Sequence, residues 1–142
     1  MQIVRCDEGY FEDAAELLSL CSGKRAAKEL SEYLQNPAVS VFCAREDGIC
    51  GIILVLISFE SCDILDIAVR EGMQRRGIGR ALMMHATDFC KERGVSHQLL
   101  EVRRSNAGAR AFYKSCGFED IACRRGYYSF PTEDAVIMRR KI

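Results

Sequence analysis

Midway along the chain the hydrophobic pattern changes period, and that change restricts the fold more than any other feature. Ile64 to Val69 reads as an apolar strand. Gly77 to Arg93 then places Ile78, Leu82, Ala86, Phe89 and Cys90 on one helical stripe, closed by Gly94. Gln98 to Arg103 reads as a strand again. A strand, a helix and a strand in this order make a parallel unit with a right-handed crossover.

The segments on either side obey different rules. Gln2 to Cys6 alternates as a short strand, and Asp7 can cap the helix after it. Tyr10, Ala14, Leu17, Leu18 and Cys21 recur at helical spacing up to Ser22-Gly23, and Ala26 to Gln35 forms a second helix with Leu30, Tyr33 and Leu34 on one face, ended by Asn36-Pro37. Val39 to Arg45 and Ile49 to Ser58 are strands joined at Asp47-Gly48, a favoured hairpin turn. Glu60 to Asp63 reads as a polar break. Asn106 to Cys116 is a helix with Ala109, Phe112, Tyr113 and Cys116 on one face, ended by Gly117. Phe118 to Cys123 and Ala135 to Arg140 are the last strands, with Arg124 to Asp134 as their connection. The sum is an α/β chain: a central, mostly antiparallel sheet of about six to seven strands, one parallel strand-helix-strand unit, and helices on both faces.

The length, 142 residues, suits one domain over 1–142, and 49% apolar residues suffice for a full core. Lysine plus arginine equals aspartate plus glutamate at 20 each, a balance unlike the basic excess of a general nucleic-acid binder, so no direct nucleic-acid partner is expected. Eight cysteines lack C-x-x-C pairing and sit in apolar runs; with no apolar leader after Met1, they are expected to be free thiols in the cytoplasm. His85 and His97 lack the cysteine spacing of a zinc site, so no metal is expected. The longest apolar run, Ile49 to Phe59, is too short to span a bilayer.

Between the strand and the helix of the parallel unit lies "MQRRGIGRAL", Met73 to Leu82. Helix N-termini leave backbone N–H groups without internal partners and carry partial positive charge, so an anion is stabilised there. Gly77 and Gly79 have no side chain to keep phosphate oxygens from the backbone. Gln74, Arg75, Arg76 and Arg80 add donors, and the arginine fork matches two phosphate oxygens. A P-loop is absent, and a dinucleotide fingerprint would need a glycine where Leu82 stands. The plainer use of such a stretch is a glycine turn with a solvated basic patch.

The stretches "LDIAVREGMQRRGIGRALM" and "LLEVRRSNAGARAFYKSCGFED" together resemble the GCN5-related N-acetyltransferase (GNAT) superfamily. That resemblance implies the GNAT fold and acetyl-coenzyme A as co-substrate. It implies that Gln74, Gly77 and Gly79 belong to the family's pyrophosphate pattern, with Arg75, Arg76, Ile78, Arg80 and Ala81 around it. "LDIAV" resembles the family's bulged strand, which implies that the backbone of Ile67, Ala68 and Val69 pairs with the pantetheine arm and polarises the thioester. "LEVRRSNAGARAFYKSCGF", "RRGYY" and "EDAVIM", in that order, resemble the RimI branch. Members of that branch acetylate the N-terminal amine of a ribosomal protein, the alanine of S18.

Transfer to an amine needs the amine neutral, the carbonyl polarised and the departing thiolate protonated. A terminal α-amine has a pKa of about 7.7–8.0 against about 10.4 for lysine, so a modest base suffices. Glu101 interrupts an apolar strand, where a carboxylate is costly without a role, and the resemblance implies that it takes the amine proton. Its plainer use is a solvated carboxylate or a pair with Arg103, on the same face. The resemblance implies that Tyr113 protonates the coenzyme A sulfur and that Asn106 contacts the cofactor; a core tyrosine and a helix cap are the plainer uses. Arg124, Arg125, Tyr127 and Tyr128 fall in the region the family uses beside the acceptor. Cys116, by its helical place, reads as packing rather than an acetyl carrier.

RimI-like chains often carry Pro-Trp between the first two helices. Here that segment is "LCSGKRAAKEL", and the chain has no tryptophan. The acceptor is therefore expected to be a protein N-terminus or a small amine, engaged by a monomer or weak dimer. The alternatives are a lysine or small-molecule acetyltransferase of the same fold, and a non-catalytic module that binds acyl-coenzyme A.

Overall fold

A computed structural model describes residues 1–142. The strands are β1 (Gln2–Arg5), β2 (Val39–Arg45), β3 (Ile49–Ser58), β4 (Ser61–Val69), β5 (His97–Arg103), β6 (Glu119–Tyr128) and β7 (Glu133–Lys141). The helices are α1 (Phe11–Ser22), α2 (Lys24–Gln35), α3 (Ile78–Glu92) and α4 (Ala107–Ser115). All seven strands form one sheet in the order β1-β2-β3-β4-β5-β7-β6. Only β4 and β5 run parallel, as the crossover through α3 requires. No helix is long and apolar enough to cross a membrane.

The helices cover the two faces unequally. On one face α3 seats Ile78, Leu82, Met83, Ala86 and Cys90 against Phe42, Ile53, Ile64, Leu100, Val102, Val136 and Met138. On the other, α1 and α2 bring Leu17, Leu18 and Leu30 onto Val39, Val41, Ile52, Leu54 and Ala68. That second core draws on β2, β3 and β4 but on nothing from β5, β7 or β6. The half of this face that carries Leu99, Glu101 and Ile137 has no helix over it. Gly51 allows α3 its close seat: a Cβ there would meet Ile78 and Leu82 side chains at 2.9 Å.

Three sequence expectations change. Glu60 to Asp63 is not a break, because β4 starts at Ser61 after a two-residue turn, with Ser58 opposite Ser61. Cys62 is fully buried, so the segment already alternates as a strand. Arg124 to Asp134 is not one long connection either. Strand β6 continues to Tyr128 and β7 begins at Glu133, leaving a turn over Ser129 to Thr132. Arg103 holds that turn by donating to the carbonyls of Ser129 and Pro131, both at 3.1 Å, and to Glu133 at 3.2 Å. Asp7 caps a single 3-10 turn, Glu8–Tyr10, rather than α1 itself.

A polar knot ties the parallel unit to α4. Gln98 of β5 is fully buried. Arg140 of β7 donates to its Oε1 from Nε (3.1 Å) and Nη2 (2.7 Å), to the Thr87 hydroxyl of α3, and to the Cys116 carbonyl at the end of α4 (2.7 Å). Arg140→Met would leave these acceptors without their donor. It is expected to lower the unfolding free energy by about 2–3 kcal/mol in urea titration; a change within experimental error would show that the knot is dispensable.

Candidate functional site

The site begins where the sheet divides. β4 and β5 pair only at Ser61↔His97, Cys62↔Gln98 and Asp63↔Leu99. Beyond Asp63, β4 stays with β3 to the pair Gly51↔Val69, and β5 stays with β7 to the pair Arg103↔Ala135. A bulge drives the divergence: Leu54 faces Asp66 and Val55 faces Ile64, so Leu65 has no partner. An extra residue bends its strand and sharpens the twist. From Ile64 to Val69 the β4 edge toward β5 therefore has no strand beside it.

The glycine-arginine turn closes the top of this cleft. Gly77 caps α3 in the left-handed region (φ 81°), a conformation that suits glycine. Arg75 is also left-handed (φ 66°). Arg75 and Arg76 are exposed, while Ile78 is buried beneath them. The other expected donors are engaged: Gln74 donates to the Val69 carbonyl at 3.4 Å, and Arg80 to the Ser115 hydroxyl at 2.9 Å. Gly79 has a packing duty besides, since a Cβ there would lie 3.3 Å from the Phe112 ring. Arg80 and Gly79 thus join α3 to α4 beside the cleft. Asn106 caps α4, accepting from the Ala109 N–H at 3.1 Å.

Tyr113 and Glu101 flank the division. Tyr113, on α4, packs edge-on to Phe118 and reaches the core beneath α3. Burial, followed by the charge of Asp66, pushes its phenol well above the ordinary range. Glu101 comes from β5, just past the last β4–β5 pair, on the uncovered face and half-buried. Its ion pair is with Arg124 at 3.6 Å, not with Arg103, which binds Glu133 and stacks on Tyr128 at 4.5 Å. Glu101 also lies beside the Tyr127 hydroxyl and pushes that phenol up. Arg124, Tyr127 and Tyr128 so gather round Glu101, whereas Arg125 makes no comparable contact. Asp66, which no sequence motif singles out, lies across the cleft on β4, at the bulge. Its one visible signal is a lone carboxylate within "ILDIAV".

The sequence profile of the acetyltransferase (GNAT) family matches residues 9–118. The chain belongs to the GNAT acetyltransferase family. It is 41% identical over 97 residues to the [ribosomal protein bS18]-alanine N-acetyltransferase of Salmonella typhimurium, a stretch covering 66% of this chain and 64% of that protein. It is 45% identical over 86 residues to the Escherichia coli enzyme of the same name, covering 58% of this chain and 57% of the relative. The matched stretches thus fall short of two-thirds of either relative. The crystal structure of the ribosomal-protein-S18-alanine N-acetyltransferase from Escherichia coli superimposes with a TM-score of 0.89 at 30% identity, over 99% of this chain and 93% of the other. The GNAT fold expected from the sequence is the fold observed.

The half-buried phenol of Tyr113 makes the stability of this site depend on pH. Folding raises the affinity of Tyr113 for its proton, so the unfolded chain ionises first as pH climbs. The contribution is complete below about pH 10 and declines above it, toward the ionisation of the folded phenol. Urea unfolding should show the wild type losing more stability between neutral and strongly alkaline pH than Tyr113→Phe. Equal losses would mean that the phenol is not protected.

Proposed function

We propose that the protein transfers an acetyl group from acetyl-coenzyme A to a primary amine, in the first instance the N-terminal α-amine of a polypeptide, as a single domain over residues 1–142. The observation that carries this reading is the unpaired β4 edge beside a helix N-terminus opened by left-handed Gly77. A coenzyme A molecule fits that arrangement by its chemistry. Its pyrophosphate matches the N–H groups of Gly77, Ile78 and Gly79 and the exposed forks of Arg75 and Arg76, whereas the Ala81 N–H is already bonded to the Gly77 carbonyl at 3.0 Å; its amide-bearing arm matches the edge of β4 at Ile67, Ala68 and Val69 that no longer has β5 beside it. Gln74 and Arg80 act here chiefly by holding the turn and α4, as does Asn106 by capping α4. When bound, the thioester supplies the activated acetyl group.

The chain's own residues do the rest. Glu101 accepts the amine proton on the uncovered face, and Arg124 keeps its carboxylate oriented toward the cleft. Tyr113 keeps its proton at physiological pH, because burial disfavours the phenolate, and donates it to the departing sulfur. A backbone N–H within Ile67 to Val69 polarises the thioester carbonyl. The transfer is direct. Cys116 serves as the C-cap of α4, not as a carrier.

A polypeptide N-terminus is favoured over a small amine because the face around Glu101 is open and flanked by Tyr127, Tyr128 and Arg124 on a long hairpin, rather than enclosed. The names of the aligned relatives point the same way. A reducing cytoplasm is consistent with eight free cysteines, and the protein acts there as a monomer or weak dimer.

Thiol release from acetyl-coenzyme A, measured with a peptide beginning in alanine, tests the reading. In that assay Glu101→Gln should lower turnover by about 10²-fold near pH 7 and by clearly less near pH 9, where the amine loses its proton without help. An equal loss at both pH values would remove Glu101 as the base, and wild-type protein that released no thiol with any amine would remove the function.

A further inference from the structure

We propose that Asp66 is an acceptor-binding residue whose carboxylate holds the charged terminal amine of the acceptor on the β4 side of the cleft, opposite Glu101. The proposal rests on the reading of the protein as an N-terminal acetyltransferase, and it names the side chain that receives the amine before the proton leaves.

Three observations carry it. The first is position. Asp66 follows the bulged Leu65 and faces Leu54 across β3, so it belongs to the sheet face that α1 and α2 cover. Glu101 lies on that same face of β5, its neighbours Leu100 and Val102 being turned to the α3 core. The two carboxylates therefore stand on opposite lips of the divided sheet. The second is the lack of a cation. Asp66 is half-buried and its neighbours are the Ser22 side chain and the Ile67 backbone N–H. Glu101 and Glu133, the half-buried glutamates across the cleft, are paired, with Arg124 at 3.6 Å and Arg103 at 3.2 Å; of the other aspartates nearby, Asp134 is satisfied by the Gly126 N–H at 2.9 Å and Asp63 is exposed. Asp66 has no ion pair, and Arg70, the first basic residue after its strand, is turned to the Ile49 carbonyl at 3.2 and 2.8 Å. A carboxylate withdrawn from water without a counter-charge is costly. The third is proximity to the chemistry, since the charge of Asp66 acts on the Tyr113 phenol.

A terminal α-amine is mostly protonated at neutral pH, so it arrives as the cation that Asp66 lacks. Contact with the protonated amine stabilises the bound ground state. It lowers KM without raising kcat, because the reacting amine has lost that charge. A residue that only supported the bulge would alter kcat and cofactor binding instead.

The test uses the full chain and a short peptide beginning in alanine, with its desamino analogue, in which hydrogen replaces the terminal amine, as a competitive inhibitor. The wild type is expected to bind the amine peptide about tenfold or more tightly than the analogue. Asp66→Asn, which keeps the shape and a partner for Ser22, should raise KM about tenfold, leave coenzyme A affinity unchanged, and bind the two peptides alike. Asp66→Glu, which restores the charge, should recover part of the preference. The proposal is overturned if Asp66→Asn keeps the wild-type KM and the preference for the amine, or if it loses kcat with KM unchanged. A wild type inactive toward every amine would overturn the acetyltransferase reading and this proposal together, an outcome distinct from an active wild type indifferent to Asp66.

Discussion

Past Asp63, strand β4 stops bonding to β5, and the rest of the molecule is arranged around that divergence. A continuous parallel pair would bury the N–H and C=O groups of Ile64 to Val69 in an ordinary ladder. The unpaired Leu65 prevents it by turning β4 away while β3 follows. Backbone groups withdrawn from water need partners, and the vacant edge offers them to an extended, amide-bearing ligand. The divergence is tolerated because each strand keeps its other neighbour, β3 for β4 and β7 for β5.

The two faces then divide the labour. On the face of α3, the Arg140 knot and the Arg80–Ser115 bond fix α3, α4 and β7 relative to one another, so that Tyr113 is held from a rigid element. On the opposite face, α1 and α2 stop at β4 and leave the β5 side open. Glu101 emerges there with Arg124 and the two tyrosines of β6. In the proposed function the cofactor and the acceptor approach one reaction point from different sides of a single sheet, which is what a direct transfer between two substrates needs.

The framework is legible in the sequence where local signals agree. Strands Val39–Arg45 and Ile49–Ser58 and the turn at Asp47-Gly48 combine strong apolar content with a turn residue that tolerates left-handed backbone. The glycines of the α3 turn are legible for the same reason. The hidden features depend on neighbours distant in sequence. The second half of strand β6, Arg124 to Tyr128, is exposed up to Tyr128, so it has no apolar alternation to reveal it; backbone pairing to β7 makes it a strand. The partner of Glu101 is misread from sequence because Arg103 shares its strand, whereas Arg124 reaches it only through the strand order β5-β7-β6. Gly79 reads as a phosphate residue alone, since nothing local announces the Phe112 ring above it. The role of Leu65 is equally invisible: a bulge is a mismatch between two strands and is not written in either one.

Amide hydrogen exchange with and without coenzyme A addresses the divergence itself. If the unpaired edge of β4 receives the cofactor as a surrogate strand, exchange at the edge amides within Ile64 to Val69 should slow markedly on addition, along with Gly77 to Gly79, while amides of β3 already bonded to β2 stay as they were. Coenzyme A that binds with protection at the α3 turn but none along β4 would contradict the account, because the gap between β4 and β5 would then have no part in holding it.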